Sequence, residues 1–268
     1  TYSYDDASRL TSVKTAYGTT FYEYDKLDRL VRVIDRNGYA TIYEYDANGN
    51  RSAIKYANGI VVTYSYDDVN QQNIEKALDK QGGLVAQYEY TIGAAGERTK
   101  VKELNRTVDY TYDSLYRLAS EKITANGTTT EYSYAYDNVS NRILKTENGT
   151  NTTYTYNALN QLVKENNTVY KYDDAGNLVS TTSSGKSAAY IYNAENKLIR
   201  ADIQEGNNVS FEEYEYDYAG NRTVKKSEND YTYYLNDISG GLTQVLAELD
   251  ADGNEKCCYT RGIEIISQ

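Results

Sequence analysis

The sequence predicts an all-β chain: tandem β-hairpins that form a curved or spiralling antiparallel sheet. Three observations carry this reading. The phrase aromatic-x-Tyr-Asp, with close variants, returns about eleven times along 268 residues. Asn-Gly dipeptides stand between the copies, and Asn-Gly between β-rich runs is the strongest short-range hairpin signal. Proline is absent, as central hydrogen-bonded strands require. The second tyrosine of each phrase falls at Tyr4, Tyr24, Tyr45, Tyr66, Tyr90, Tyr112, Tyr136, Tyr156, Tyr172, Tyr192 and Tyr216.

Composition first argues against a folded core and then restores it. Leu, Ile, Val and Phe together make up about a fifth of the chain, and the net charge is −11, a combination usually read as disorder. The 32 tyrosines reverse the argument. Each ring can bury on the order of 150–250 Å² while its hydroxyl still needs a partner or water. The expected core is therefore built of tyrosine and rather wet.

Each unit reads as strand, tight turn and returning strand. After Tyr24-Asp25 the chain runs Lys-Leu-Asp28-Arg29-Leu30, then Val-Arg-Val-Ile, then Asp35-Arg36-Asn37-Gly38, then Tyr-Ala-Thr-Ile-Tyr43-Glu-Tyr45-Asp46. Asn37-Gly38 is predicted to turn as a two-residue type I′ hairpin loop. The same dipeptide occurs at Asn58-Gly59, Asn126-Gly127 and Asn148-Gly149, and Asp252-Gly253 is its equivalent. Tyr22 and Tyr24 lie two residues apart and share a face, whereas Glu23 faces the other way. Repetition gives one tyrosine face and one face of Thr, Glu, Lys and Ser. Rings on that face are expected to form cross-strand ladders.

The second connection has its own chemistry. Asp46-Ala-Asn48-Gly49-Asn50-Arg51 recurs as Asp173-Asp-Ala-Gly176-Asn177-Leu178 and as Asp217-Tyr-Ala-Gly220-Asn221-Arg222. An Asp side chain can accept backbone N–H bonds from residues just ahead of it, and Gly and Asn tolerate a left-handed backbone. The phrase residues Tyr4, Asp5, Tyr24, Asp25, Tyr45, Asp46, Tyr66, Asp67, Tyr112, Asp113, Tyr136, Asp137, Tyr172, Asp173, Tyr216 and Asp217 are accordingly assigned a structural role. Asn157 and Asn193 stand in for Asp, and Tyr90 is followed by Thr91-Ile92-Gly93 instead.

The array is expected over residues 1–230, with a divergent hairpin segment over 231–268 that continues the same sheet. Leu242 to Leu249 has helical spacing, but the Asp252-Gly253 turn and Cys257-Cys258-Tyr259 beyond it favour strands. Adjacent cysteines in a strand point to opposite faces and do not make one site.

Several functions are excluded or weakened. Nucleic-acid binding needs a basic surface, and this chain is acidic throughout. The longest apolar runs, such as Gly59-Ile60-Val61-Val62, are too short to span a bilayer. Without histidine there is no Ser-His or Cys-His nucleophile. A calcium loop at Asp46-x-Asn48-x-Asn50 fails because Gly49 is out of place and Ala57 stands where the closing Glu belongs. No cofactor, metal or catalytic residue is assigned. The chain begins in mid-repeat at Thr1 and reads as a piece of a longer protein.

The phrases Tyr22-Glu-Tyr24-Asp25-Lys-Leu-Asp28-Arg29-Leu30, Tyr43-Glu-Tyr45-Asp46-Ala-Asn48-Gly49-Asn50-Arg51 and Tyr214-Glu-Tyr216-Asp217-Tyr-Ala-Gly220-Asn221-Arg222 resemble the YD repeats of the RHS/YD family. The resemblance covers essentially the whole chain. It implies a hairpin strip that spirals into a large hollow β-shell. Such shells enclose a C-terminal toxin in bacterial members and in Tc-toxin cocoons, and a related barrel in teneurins supports adhesion. The implied role is a structural shell segment, secreted or at the cell surface, whose partners are flanking shell strands and a toxin cargo in the same polypeptide. The alternative is a carbohydrate-binding or adhesion module that uses exposed tyrosine rows against glycans. The family's Asp-Pro-containing self-cleavage motif needs a proline that this sequence lacks.

Overall fold

The computed structural model describes residues 1–240 and 242–267, and among them there is no helix. The residues separate into two compact units. The first comprises residues 1–135, 146–150 and 260–266, and the second 136–145, 151–259 and 267–268. Gly241 and Gln268, both within the predicted divergent segment 231–268, lie outside the described residues.

In the first unit, strands from Tyr2–Tyr4 through Thr128–Tyr136 each pair antiparallel with the next strand in sequence. The second unit follows the same up-and-down order from Thr150–Tyr156 to Glu255–Cys258. The run with helical spacing forms the strand Gln244–Leu249, paired with Tyr231–Asp237 on one side and Glu255–Cys258 on the other. Beyond these, Thr260–Arg261 and Ile265–Ser267 make a separate two-stranded ribbon.

Strand residues are Tyr, Thr, Val and Ile at alternating depth, the composition that suits a half-buried pleated surface. The core of the first unit is small. Val33, Tyr43 and Ile54 are at most 2% exposed, and Tyr22, Leu30, Tyr45, Tyr56, Val62, Tyr64 and Ile266 pack against them. Tyr22 faces Val33 across one strand pair and Tyr43 faces Ile54 across the next. In the second unit the buried positions include Tyr154, Ala201, Val224, Thr232 and Ala247. Most phrase tyrosines are half-buried, so the tyrosine face is only partly dry.

Ring-on-ring ladders do not follow from this register. A Tyr-x-Tyr strand is flanked by strands such as Leu30–Ile34 and Arg51–Lys55, which carry aliphatic residues and arginine. Tyrosine rows of successive repeats are thus two strands apart, about 9–10 Å, beyond stacking distance. Guanidinium groups fill the gap. Arg51 lies 4.6 Å from the Tyr64 ring centroid, Arg142 4.6 Å from Tyr154, Arg98 4.2 Å from Tyr90 and Arg222 4.4 Å from Tyr214. On the opposite face, residues in register form ion pairs: Glu23 with Arg32, Lys100 with Asp109, Lys122 with Glu131. These are exposed, and each contributes only about 0.2–1 kcal/mol.

The turns differ from expectation in type. At Asn126-Gly127 and Asn148-Gly149 both residues have positive φ (49° and 77°, 47° and 84°), as type I′ requires. At Asn37-Gly38, Asn58-Gly59 and Asp252-Gly253 only the glycine does. Here Gly38 N–H donates to the Asp35 carbonyl and Asp35 N–H to that of Tyr39, which closes a three-residue loop. The reason is visible at Asp35. Its Oδ1 accepts the N–H groups of Asn37 and Tyr39, both at 2.8 Å, and this holds a type I turn followed by one left-handed residue.

The Tyr-Asp connection uses the same loop, with its left-handed residue three positions after the Asp. Ser8, Asp28, Gly49, Asn70, Ser140, Asn160, Gly176, Asn196 and Gly220 occupy that position. Tyr116 does too, at φ 58°, although a bulky side chain is strained there. Its ring is 64% exposed. Tyr116→Asn is therefore expected to raise stability by about 0.5–1 kcal/mol, read as a higher urea midpoint at unchanged slope.

Candidate functional site: the tyrosine–aspartate turn row

The recurrent chemistry of the chain sits where each Tyr-Asp strand meets its turn. Asp25 shows the pattern. Its Oδ1 accepts the backbone N–H groups of Leu27 (2.8 Å) and Arg29 (3.0 Å), and its Oδ2 accepts Arg29 Nε at 2.7 Å. Asp5 does the same with Ala7 and Arg9, Asp46 with Asn48 and Asn50, and Asp113 with Leu115 and Arg117. Asp137 and Asp217 repeat it with Asn141 and Asn221 as the fourth residue on. Asp67 accepts from Val69 and Gln71, and Asp173 from Asn177. Asn157 and Asn193 close their turns with the same two backbone bonds.

Each such turn is followed by a slip of register. Tyr24 faces Leu30 but Glu23 faces Arg32, so one extra residue bulges from the returning strand. The slip recurs at Tyr4, Tyr45, Tyr66, Tyr112, Tyr156, Tyr172, Tyr192 and Tyr216. The carbonyl at the slip accepts the hydroxyl of the next repeat's tyrosine. Tyr24 donates to Leu10 (3.0 Å), Tyr45 to Leu30 (2.7 Å), Tyr66 to Arg51 (2.9 Å) and Tyr112 to Arg98 (2.7 Å). In the second unit Tyr156 donates to Arg142, Tyr172 to Leu162, Tyr192 to Leu178 and Tyr216 to Leu198. At the end of the row the Asn236 side chain donates to the Arg222 carbonyl at 2.9 Å in place of a tyrosine.

Neighbouring turns also touch. Arg9 pairs with Asp28 of the following turn at 2.7 Å. Asn50 donates to Asn70 (3.1 Å), Asn141 to Asn160 (2.9 Å) and Asn177 to Asn196 (2.9 Å). In each case the acceptor is the left-handed residue of the following turn.

One repeat is misplaced by the sequence phrase. Ile92, not Tyr90, faces Arg98 at the slip, and Gly93 occupies the aspartate position, bonded to Glu97 and Gly96. The phrase here slides by two residues. Ile92 offers no hydroxyl, and the Glu97 carboxylate accepts the Ala95 N–H that an aspartate would otherwise take.

Electrostatics follow the bonds. Hydrogen bonds from Arg9, Asn177, Asn221 and Asn254 hold Asp5, Asp173, Asp217 and Asp250 below the ordinary carboxylate value of 3.8. At Asp25, Asp46 and Asp113 partial desolvation pushes upward, but bonds to the turn outweigh it and the net shift is also downward. Burial raises Tyr24, Tyr45, Tyr66, Tyr156 and Tyr192. Burial and then the bond to Glu165 push Tyr170 up to about 12. Among the described residues no group of three His, Cys, Asp or Glu side chains is placed to hold a metal ion. Cys257 and Cys258 form no disulfide and lie in the strand Glu255–Cys258, facing Glu248 and Ala247.

Sequence reasoning placed the tyrosines and aspartates but missed their acceptors and the stacked arginines. The signal was present: Leu or Arg recurs six residues after most phrase tyrosines, at Leu10, Leu30, Arg51, Leu118, Arg142, Leu162, Leu178, Leu198 and Arg222.

Two family models match the chain: RHS Repeat over residues 24–61 and Teneurin YD-shell over residues 95–237. The second covers more than half of the sequence, and the chain belongs to the Teneurin YD-shell family of RHS/YD-repeat proteins. No curated protein matches the chain in sequence. Similar solved structures include the crystal structure of TcdB2-TccC3-Cdc42, with 13% identity, TM-score 0.61, and coverage of 97% of this chain and 18% of that chain. TcdB2-TccC3 gives 14%, 0.60, 97% and 18%, and TcdB2-TccC3 without its hypervariable C-terminal region gives 15%, 0.59, 99% and 18%. The chain has the fold of part of those proteins and spans less than a fifth of their length.

The depressed aspartates set a pH dependence. A group whose folded pKa lies below its unfolded value contributes stability that is present above the unfolded pKa and lost as pH falls through the folded one. The Asp217 contribution should therefore be full at pH 7 and be lost progressively as pH falls below about 4. Asp217→Asn keeps the backbone acceptor, as Asn157 and Asn193 show, but has no proton to gain. Its urea midpoint should fall less than that of the parent between pH 5 and pH 3. An equal fall in both chains would contradict this assignment.

Proposed function

We propose that the chain is a wall segment of an RHS/YD-type β-shell, and that this shell encapsulates a C-terminal toxin or effector carried by the same polypeptide. The observation that carries the reading is the repetition itself. The polar groups of the Tyr-Asp phrase are spent on closing turns and on joining each repeat to the one before. Tyr4, Asp5, Tyr24, Asp25 and their later counterparts act in this reading as construction elements, and the chain has no catalytic role of its own. Residues 1–230 form the repeat array and 231–268 its divergent end. Family membership and the shared fold with the TcdB2-TccC3 structures support a shell role. The parent would act outside the cell that makes it, in secreted or surface-bound form.

The test is limited proteolysis of the intact parent polypeptide, with mass measurement of the fragments. A C-terminal region that resists protease in the parent should become cleavable in Val33→Asp, since Val33 is 1% exposed and a charge there breaks the wall. A C-terminal region that is cut as fast in the parent as in Val33→Asp would overturn encapsulation. Glycan binding by the folded chain that disappears on truncating exposed tyrosines would instead favour a binding module.

A further inference from the structure

Residues 260–266 follow the strands of the second unit in sequence, yet they pack in the first. Ile263 and Ile265 are exposed, whereas Ile266 packs against the Val33, Tyr43 and Ile54 cluster. Gly262 sits against the hydroxyl end of Tyr43, where an added Cβ would overlap the hydroxyl oxygen and lie 3.0 Å from Cζ and 3.1 Å from Ile266 Cδ1. Glu264, between them on the same face, meets Arg51 at 3.7 Å and the Tyr56 hydroxyl at 3.4 Å. The ribbon is held in shape by the Gly262 N–H, which donates to the Glu264 carbonyl at 2.9 Å.

Tyr43 gives the independent sign that this is a built contact. It is 2% exposed, and its hydroxyl makes no hydrogen bond of good geometry, although the Ile263 backbone lies close by. A buried hydroxyl left unsatisfied costs on the order of 1–3 kcal/mol. The hydroxyl end of Tyr43 forms the floor on which a residue without a side chain rests.

We propose that Tyr43, Tyr56, Arg51 and the Val33–Ile54 pair form a peptide socket, that the socket recognises a tight turn of pattern Gly-x-Glu-x-Ile, and that residues 262–266 occupy it in cis. The glycine fits the notch above Tyr43, the carboxylate meets the guanidinium and phenol, and the isoleucine completes the aliphatic cluster. The two intervening isoleucines take no part in recognition. This inference does not rest on encapsulation, and either can fail alone.

The test is a double-mutant cycle in the full chain, read as tryptic cleavage after Arg261 under native conditions. Cleavage of a folded chain reports the population of the opened segment. Gly262→Ala should raise the cleavage rate about tenfold, because its Cβ meets the Tyr43 hydroxyl. Tyr43→Phe removes that oxygen, and the double variant Tyr43→Phe/Gly262→Ala should return to within about threefold of the parent. Ile263→Ser, on the exposed side, should leave the rate unchanged. Cleavage after Lys225, in a second-unit strand, serves as the folding control and should be equal in all variants. The proposal is overturned if Gly262→Ala is cut after Arg261 at the parental rate, or if Tyr43→Phe does not rescue it. It is equally overturned if cleavage after Lys225 rises in step, since the effect is then global.

Discussion

The structure depends on finding an acceptor for the hydroxyls of the phrase tyrosines. A core of tyrosine gains area at each ring but carries a polar group into the sheet, where an unmet hydroxyl is costly. The register slip at the Tyr-Asp turns supplies the answer. It takes one carbonyl, such as that of Leu30, out of the regular ladder, and the tyrosine of the next repeat donates to it. The same bond joins one repeat to its predecessor. Tyrosine content, bulge and repeat length are therefore one constraint: a tyrosine two strands on must arrive level with the slipped carbonyl.

The turns explain which substitutions the repeat accepts. The closing side chain needs an oxygen aimed at two N–H groups, so Asn157 and Asn193 serve as well as Asp. The left-handed residue must tolerate positive φ, and in three turns it is an asparagine that also accepts from the preceding turn. That position is conformational and adhesive at once. Where Gly93 replaces the aspartate, the carboxylate moves to Glu97, four residues on, and the loop closes with the same backbone bonds. Arginine has a comparable double use. Its charge faces the turn or an acid while its plane covers a tyrosine ring that has no aromatic neighbour within reach.

Much of this was legible in the sequence, for identifiable reasons. Strand positions follow from period-two alternation, and the staple follows from Asp with Gly or Asn at a fixed offset. Gln244–Leu249 was placed as a strand by the turn after it, against its helical spacing. Other parts carried no side-chain signature. A backbone carbonyl at a bulge looks like any other in sequence. The turn at Asn37-Gly38 was decided by Asp35, two residues upstream, and not by the dipeptide. At Tyr90 the phrase matched while the register did not, because Gly93 and Glu97 could rebuild the loop two residues later. The socket for residues 262–266 joins Tyr56 to Glu264, 208 positions apart, which no local pattern reports.

The most direct measurement is the unfolding free energy of single Tyr→Phe variants at Tyr45 and Tyr66, with Tyr218, which is 92% exposed, as the control. If the hydroxyl-to-carbonyl bond joins the repeats, Tyr45→Phe and Tyr66→Phe each lose about 1 kcal/mol and Tyr218→Phe loses nothing measurable. Phe variants at Tyr45 and Tyr66 as stable as the parent would contradict the account, because the rings would then hold the sheet by area alone.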